Sequence, residues 1–82
     1  MRLRQQALGT SNLVGARVEE IRKKKGIKKK DLLVKLQING IDMNASGLSK
    51  LEGQKRLVTD IELVALSKIL NVSIEELLGL KL

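Results

Sequence analysis

None of the 82 residues is cysteine, histidine, proline, phenylalanine, tyrosine or tryptophan. Each absence removes a class of function. Without cysteine there is neither a disulfide framework nor a thiolate nucleophile, so the fold is indifferent to redox compartment. Without cysteine or histidine, zinc fingers and nearly all zinc enzymes are excluded. Only weak carboxylate sites for hard cations remain, so neither a metal nor another cofactor is expected. General acid–base work would fall to carboxylates or lysine, and no carboxylate cluster marks a cleft, so an enzyme is not expected either. Without aromatic rings there is no platform for stacking unpaired bases, which argues against single-strand binding modules of the sheet type. The longest strictly apolar run, residues 63–66, is too short to span a membrane. Residues 1–10 lack the apolar stretch of a secretory signal. An intracellular, non-enzymatic, basic domain is the expectation.

What is present is aliphatic and cationic. Apolar residues make up 43% of the chain, enough for a globular core, and 16 of them are leucine. At this length there is room for one small domain, and a fold of this size buries only about 60% of the surface its unfolded chain exposes. The 16 basic and 9 acidic side chains leave a net charge of +7. Their distribution is uneven. Residues 1–56 hold 14 basic against 5 acidic groups, and residues 57–82 hold 2 against 4. Between residues 22 and 35 there are eight basic side chains and one acidic, Asp31. A polyanion is the natural partner for such a face, although a solvated lysine-rich helix end has the same composition. An anionic membrane surface is disfavoured, because no bulky interfacial anchors oppose the charge.

Helical signals divide the chain into five short segments. Residues 1–10 show no clean period, although Leu3, Ala7 and Leu8 can share a helical face; residues 1–11 form an extension to a domain over 12–82. The first helix is predicted over 12–25, with Val14, Val18 and Ile21 as its apolar stripe and Ser11 or Asn12 as its cap. Gly26 takes the left-handed position after it, and Glu19–Lys23 and Glu20–Lys24 pair four residues apart. The second is predicted over 29–38, with Leu32, Leu33 and Leu36 inward and Asn39-Gly40 as its stop. The third covers 45–52, capped by Asn44, with Leu48 and Leu51 buried and Gly47 costing roughly 1 kcal/mol relative to alanine. Capping boxes at Thr59-Asp60-Ile61-Glu62 and Ser73-Ile74-Glu75-Glu76 start helices over 60–70 and 74–80; Val58 with Leu63, and Val72 with Leu77, supply the hydrophobic staples. The leucine-dense tail (Leu77, Leu78, Leu80, Leu82) either closes the monomer core or offers a surface to a second copy.

The second and third helices, joined by a short polar turn, form a helix-turn-helix candidate. The outward positions of the third are small or polar, as a helix entering a major groove requires. Three stretches then resemble the Cro/phage-repressor-like (xenobiotic-response-element type) helix-turn-helix domains. They are Gly15-Ala16-Arg17-Val18-Glu19-Glu20-Ile21-Arg22-Lys23-Lys24-Lys25-Gly26-Ile27, Leu48-Ser49-Lys50-Leu51-Glu52-Gly53-Gln54-Lys55-Arg56, and Glu62-Leu63-Val64-Ala65-Leu66-Ser67-Lys68-Ile69-Leu70-Asn71-Val72-Ser73. They stand in the family's order, and the resemblance covers about residues 12–79. The resemblance implies a compact, all-α, five-helix lambda-repressor-like domain that binds double-stranded DNA.

It also implies roles. Ala45, Ser46, Ser49 and Lys50 would face base edges. Lys28, Lys29 and Asn44 at the helix starts, with Lys55 and Arg56 in the loop after the third helix, would meet the sugar-phosphate backbone. Arg22 and Glu52 would form a structural ion pair between the first and third helices. Three departures stand out: Lys28 replaces a Ser or Thr cap, Leu33 stands where alanine is preferred at a close helix contact, and residues 37–44 are about five longer than the tight family turn. Lys50 is the only long donor on the reading face. The implied function is a transcriptional regulator of repressor type, cytoplasmic and nucleoid-associated in a bacterial or phage setting, with a homodimer on a pseudo-palindromic site. A protein-interaction module on the same fold, such as an antitoxin or regulatory subunit, is the alternative.

Overall fold

A computed structural model describes residues 10–80, so most of the extension over 1–11 and Leu82 of the leucine tail lie outside the described residues. Five helices follow one another: α1 (Gly15–Lys24), α2 (Lys29–Ile38), α3 (Ala45–Glu52), α4 (Asp60–Leu70) and α5 (Ile74–Leu78). There is no strand among the described residues. The fold is all-α, as expected.

Three helices, α2, α3 and α4, keep their predicted bounds, and the starts of the last two are written in side-chain chemistry. Asn44 Oδ1 accepts the Gly47 N–H at 2.7 Å and starts α3. Thr59 Oγ1 accepts the Glu62 N–H while the Glu62 carboxylate accepts the Thr59 N–H, which completes the capping box of α4. α2 begins at Lys29 without any side-chain cap, since Lys28 has no acceptor to offer. It ends on Asn39, and Gly40 turns left-handed at φ 84°.

Two ends differ from expectation. α1 starts at Gly15 rather than near residue 12, because Asn12 acts from outside the helix: its Oδ1 accepts the Gly15 N–H at 2.8 Å. α5 stops at Leu78 rather than Leu80. Gly79 adopts φ 77°, and the Leu80 N–H turns back to the Glu75 carbonyl at 2.9 Å, a left-handed closure that a further helical residue would prevent.

The core is aliphatic throughout. Val18, Leu32, Leu36, Leu48, Leu51, Leu66, Leu70 and Leu77 are fully buried, drawn from all five helices. α3 packs on α1 and α2, while α4 packs on α1, α2 and α5. Burying a leucine is worth about 1.5–3 kcal/mol, so Leu48 and Leu51 together outweigh the cost of Gly47 in an eight-residue helix. Leu77 closes the monomer core and Leu78 packs partly against it, whereas Leu80 stays exposed. The long connection between α2 and α3 is held rather than loose. Ile41 is buried and its N–H returns to the Leu36 carbonyl, and Met43 packs on the core edge.

Candidate nucleic-acid interface

α3 is short, and its two faces are chemically opposite. Leu48 and Leu51 are fully buried, while Ala45, Ser46, Ser49 and Lys50 are exposed. The four positions expected to meet bases therefore lie open on one rod. Among the described residues no neighbouring helix walls them in.

What fixes that rod is a buried charge pair. Arg22 Nε lies 2.8 Å from Glu52 Oε2, and Nη2 lies 3.2 Å from Oε1, a two-pronged contact between α1 and the last residue of α3. The third prong, Nη1, donates to the Ile27 carbonyl at 2.9 Å. Both residues are at least 95% buried, and both carboxylate oxygens of Glu52 accept from the guanidinium fork. The ion pair implied by the resemblance is thus present, and it is a desolvated one.

A second brace comes from residues that the sequence did not single out for this purpose. Asn12 donates from Nδ2 to the carbonyls of Leu51 and Arg56, at 3.2 and 2.8 Å. Its own carbonyl accepts from Gln54 Nε2 at 2.9 Å, and the Ser11 N–H reaches the Gln54 carbonyl at 2.9 Å. The start of α1 is thereby sewn to the loop after α3. Gln54 sits at φ 60°, a left-handed conformation that the bonds from Ser11 and Asn12 help to hold. Gly15 completes the contact: a Cβ there would collide with the Leu51 carbonyl oxygen. The sequence marks Asn12 only as a cap candidate, and nothing in a helical period announces its long-range partners.

The backbone-contact candidates separate into two groups. Lys28, Lys29, Asn44 and Lys55 are exposed. Lys29 Nζ donates to Ser49 Oγ at 3.1 Å, so the start of α2 and the reading face of α3 meet in one contact. Arg56 is differently placed. Its guanidinium grips the Glu62 carboxylate at 3.0 and 3.3 Å and is half-buried. Burial pushes the Glu62 carboxyl up, but hydrogen bonds from Arg56 and Thr59 and the Arg56 charge prevail and hold it below its ordinary value. Among the described residues no group of three or more acidic side chains is placed to hold a metal ion, and no helix is long and apolar enough to cross a membrane.

No curated protein and no solved structure matches the chain. The family model of the Cro/C1-type HTH DNA-binding domain does match, over residues 17–81, which is most of the sequence. The match takes in α2, α3, both members of the buried Arg22–Glu52 pair and the loop that carries Lys55 and Arg56. With an open α3, a braced helix-turn-helix and a cationic surround already in place, the chain belongs to the Cro/C1-type helix-turn-helix DNA-binding family.

Proposed function

We propose that this domain is a transcriptional repressor that lays α3 in the major groove of duplex DNA. The observation that carries the reading is the two-faced α3, anchored through Leu48, Leu51 and the Arg22–Glu52 pair and open at Ala45, Ser46, Ser49 and Lys50. Lys50 and Ser46 read base edges, with Ser49 beside them, while Lys28, Lys29, Asn44 and Lys55 set the register on phosphates. Arg56 contributes through the Glu62 pair, which shapes the loop, and reaches a phosphate only by leaving that carboxylate. Two copies related by a two-fold axis read half-sites one helical turn apart. Exposed Leu57 and Leu80 supply apolar surface for such pairing.

Selection from a random duplex library tests this reading directly. Recovery of a pseudo-palindrome supports it, and sequences with no shared bases overturn it. Lys50→Ala should weaken the selected site by about 1–3 kcal/mol and leave nonspecific duplex binding almost unchanged. Equal losses on both would move Lys50 to the phosphate group.

A second reading is favoured by other exposed side chains. Ile38 on α2 and Ile61 on α4 are 78% and 68% exposed, which suits a domain whose main contact is another protein, as in an antitoxin or a regulatory subunit. A salt titration separates the two. A DNA binder loses affinity for random duplex steeply as salt rises, and an adaptor shows no association to lose.

A further inference from the structure

One face of α4 does nothing for the fold or for the reading helix. Its capping box uses Thr59 and Glu62, and its core side uses Ala65, Leu66 and Leu70. On the other side Ile61 is 68% exposed and Val64 40%, between exposed Asp60 and Lys68. These four residues, with Ala65 and with Asn39 from the end of α2, line an open groove of about 400 Å³. The dipole of α4 accounts for the sign of each charge, acidic in the first turn and basic in the last. It does not account for two β-branched side chains left in water between them, where straight-chain polar residues make better helix.

The spacing along this face has a symmetry. Asp60, Val64 and Lys68 follow one another at four residues, so they form one row with Val64 at its midpoint and about 6 Å of helix on either side. Neither charge has an ion-pair partner among the described residues. Reversed end to end, the row is complementary to itself. A second α4 laid antiparallel about a two-fold axis at Val64 sets each Asp60 opposite the other's Lys68. The two Val64 side chains then meet at the axis, and each Ile61 lies over the other's groove, where Ala65 is small enough to let the helices approach. Many apolar partners would suit the middle of the row; the exchange of charge about its midpoint singles out a second copy. Among the described residues α4 packs on α1, α2 and α5 and not on α3, so pairing here leaves the reading face open. The face is also separate from Leu57, which lines a different groove with Leu63 and Leu78.

From this symmetry we infer that the Asp60–Lys68 face of α4 is a self-association surface that joins two copies of the chain antiparallel. The inference goes beyond the DNA-binding reading and does not depend on it.

Sedimentation equilibrium of the full chain without DNA tests it. One helix face is a small interface, so dimers should form with a Kd of about 10 µM–1 mM. Ile61→Ser should weaken association by about tenfold or more, and because Ile61 is exposed the fold does not rest on it. Asp60→Lys and Lys68→Asp each set like charges against one another twice per dimer, and each should weaken self-association by about tenfold. An equimolar mixture of these two single variants regains both ion pairs, so it should dimerise within about threefold of the unsubstituted chain. If either charge variant loses helical circular dichroism, Ile61→Ser still decides. An unsubstituted chain that stays monomeric at about 1 mM overturns the inference. Association that survives Ile61→Ser overturns it too, by placing the contact on another surface such as that of Leu57 and Leu80. A mixture no tighter than its components overturns the antiparallel pairing. Failure to bind duplex is a separate result, which bears on the DNA-binding reading alone.

Discussion

Arg22 is the residue on which the most geometry converges. Its three nitrogens join α1, the α1–α2 turn and the end of α3, and all lie away from water. Removing one member of such a pair leaves the other charge buried and unanswered. Glu52→Ala should therefore destabilise the domain by about 3–5 kcal/mol, read as a fall in the urea midpoint. Replacing both with apolar residues of similar size, as in Arg22→Met/Glu52→Leu, should recover most of that loss. If the double variant is no better than the single, the pair stabilises more than its desolvation costs. Gly15 makes a complementary point about space. Alanine normally improves a helix, yet here its methyl would run into the Leu51 carbonyl, so Gly15→Ala should destabilise by about 1–3 kcal/mol instead of stabilising. A raised melting temperature would show that α1 and α3 can move apart freely.

At the level of helices, ends were more legible than mounts. Asn44 and the Thr59–Glu62 box mark their helices in a few adjacent residues, and the structure starts α3 and α4 where those residues say. Leu32 and Leu36 of α2 and Leu48 and Leu51 of α3 were equally plain, because period and burial are the same fact seen twice, whereas Leu33, also expected inward, is only partly buried against the core. The open face of α3 followed from that period, and the Arg22–Glu52 contact from the family likeness. The bracing of that face was not visible. Asn12 and Gln54 act across about forty residues, and Glu62 holds Arg56 while also serving its own cap, relations that no local pattern encodes. The uncapped start of α2 is the exception that sequence and structure describe alike, and it carries a prediction. Lys28→Ser supplies the missing acceptor and removes a charge opposed to the dipole, so the domain should gain about 1 kcal/mol on thermal melting. The same substitution should weaken duplex binding. Gain of stability with loss of affinity would mark Lys28 as a position set by the ligand; loss of both would mean the lysine supports the fold in another way.

Over the whole molecule, charge is what the domain has in excess, and no histidine is present to modulate it. No side chain with an ordinary pKa changes charge between about pH 6 and 9, so stability and DNA affinity should both be flat across that interval. Below it the carboxylates decide. Glu62 has a folded pKa below its unfolded value, so the stability it contributes is fully present above the unfolded value. That contribution is lost as pH falls from about 4.3 through the folded value. Protonating all nine carboxylates would also leave 16 basic groups unopposed on 82 residues. Self-repulsion is then greatest in the half that carries the lysine-rich turn. Two components of acid unfolding can therefore be told apart. Glu62→Gln should lower stability at neutral pH and reduce the loss between pH 5 and 3, since the linked proton is gone. Added salt should instead move the acid midpoint downward in both proteins by screening the lysines. If Glu62→Gln unfolds in acid with an unchanged profile, the Arg56–Glu62 pair is not held in solution, and Arg56 is free for phosphate.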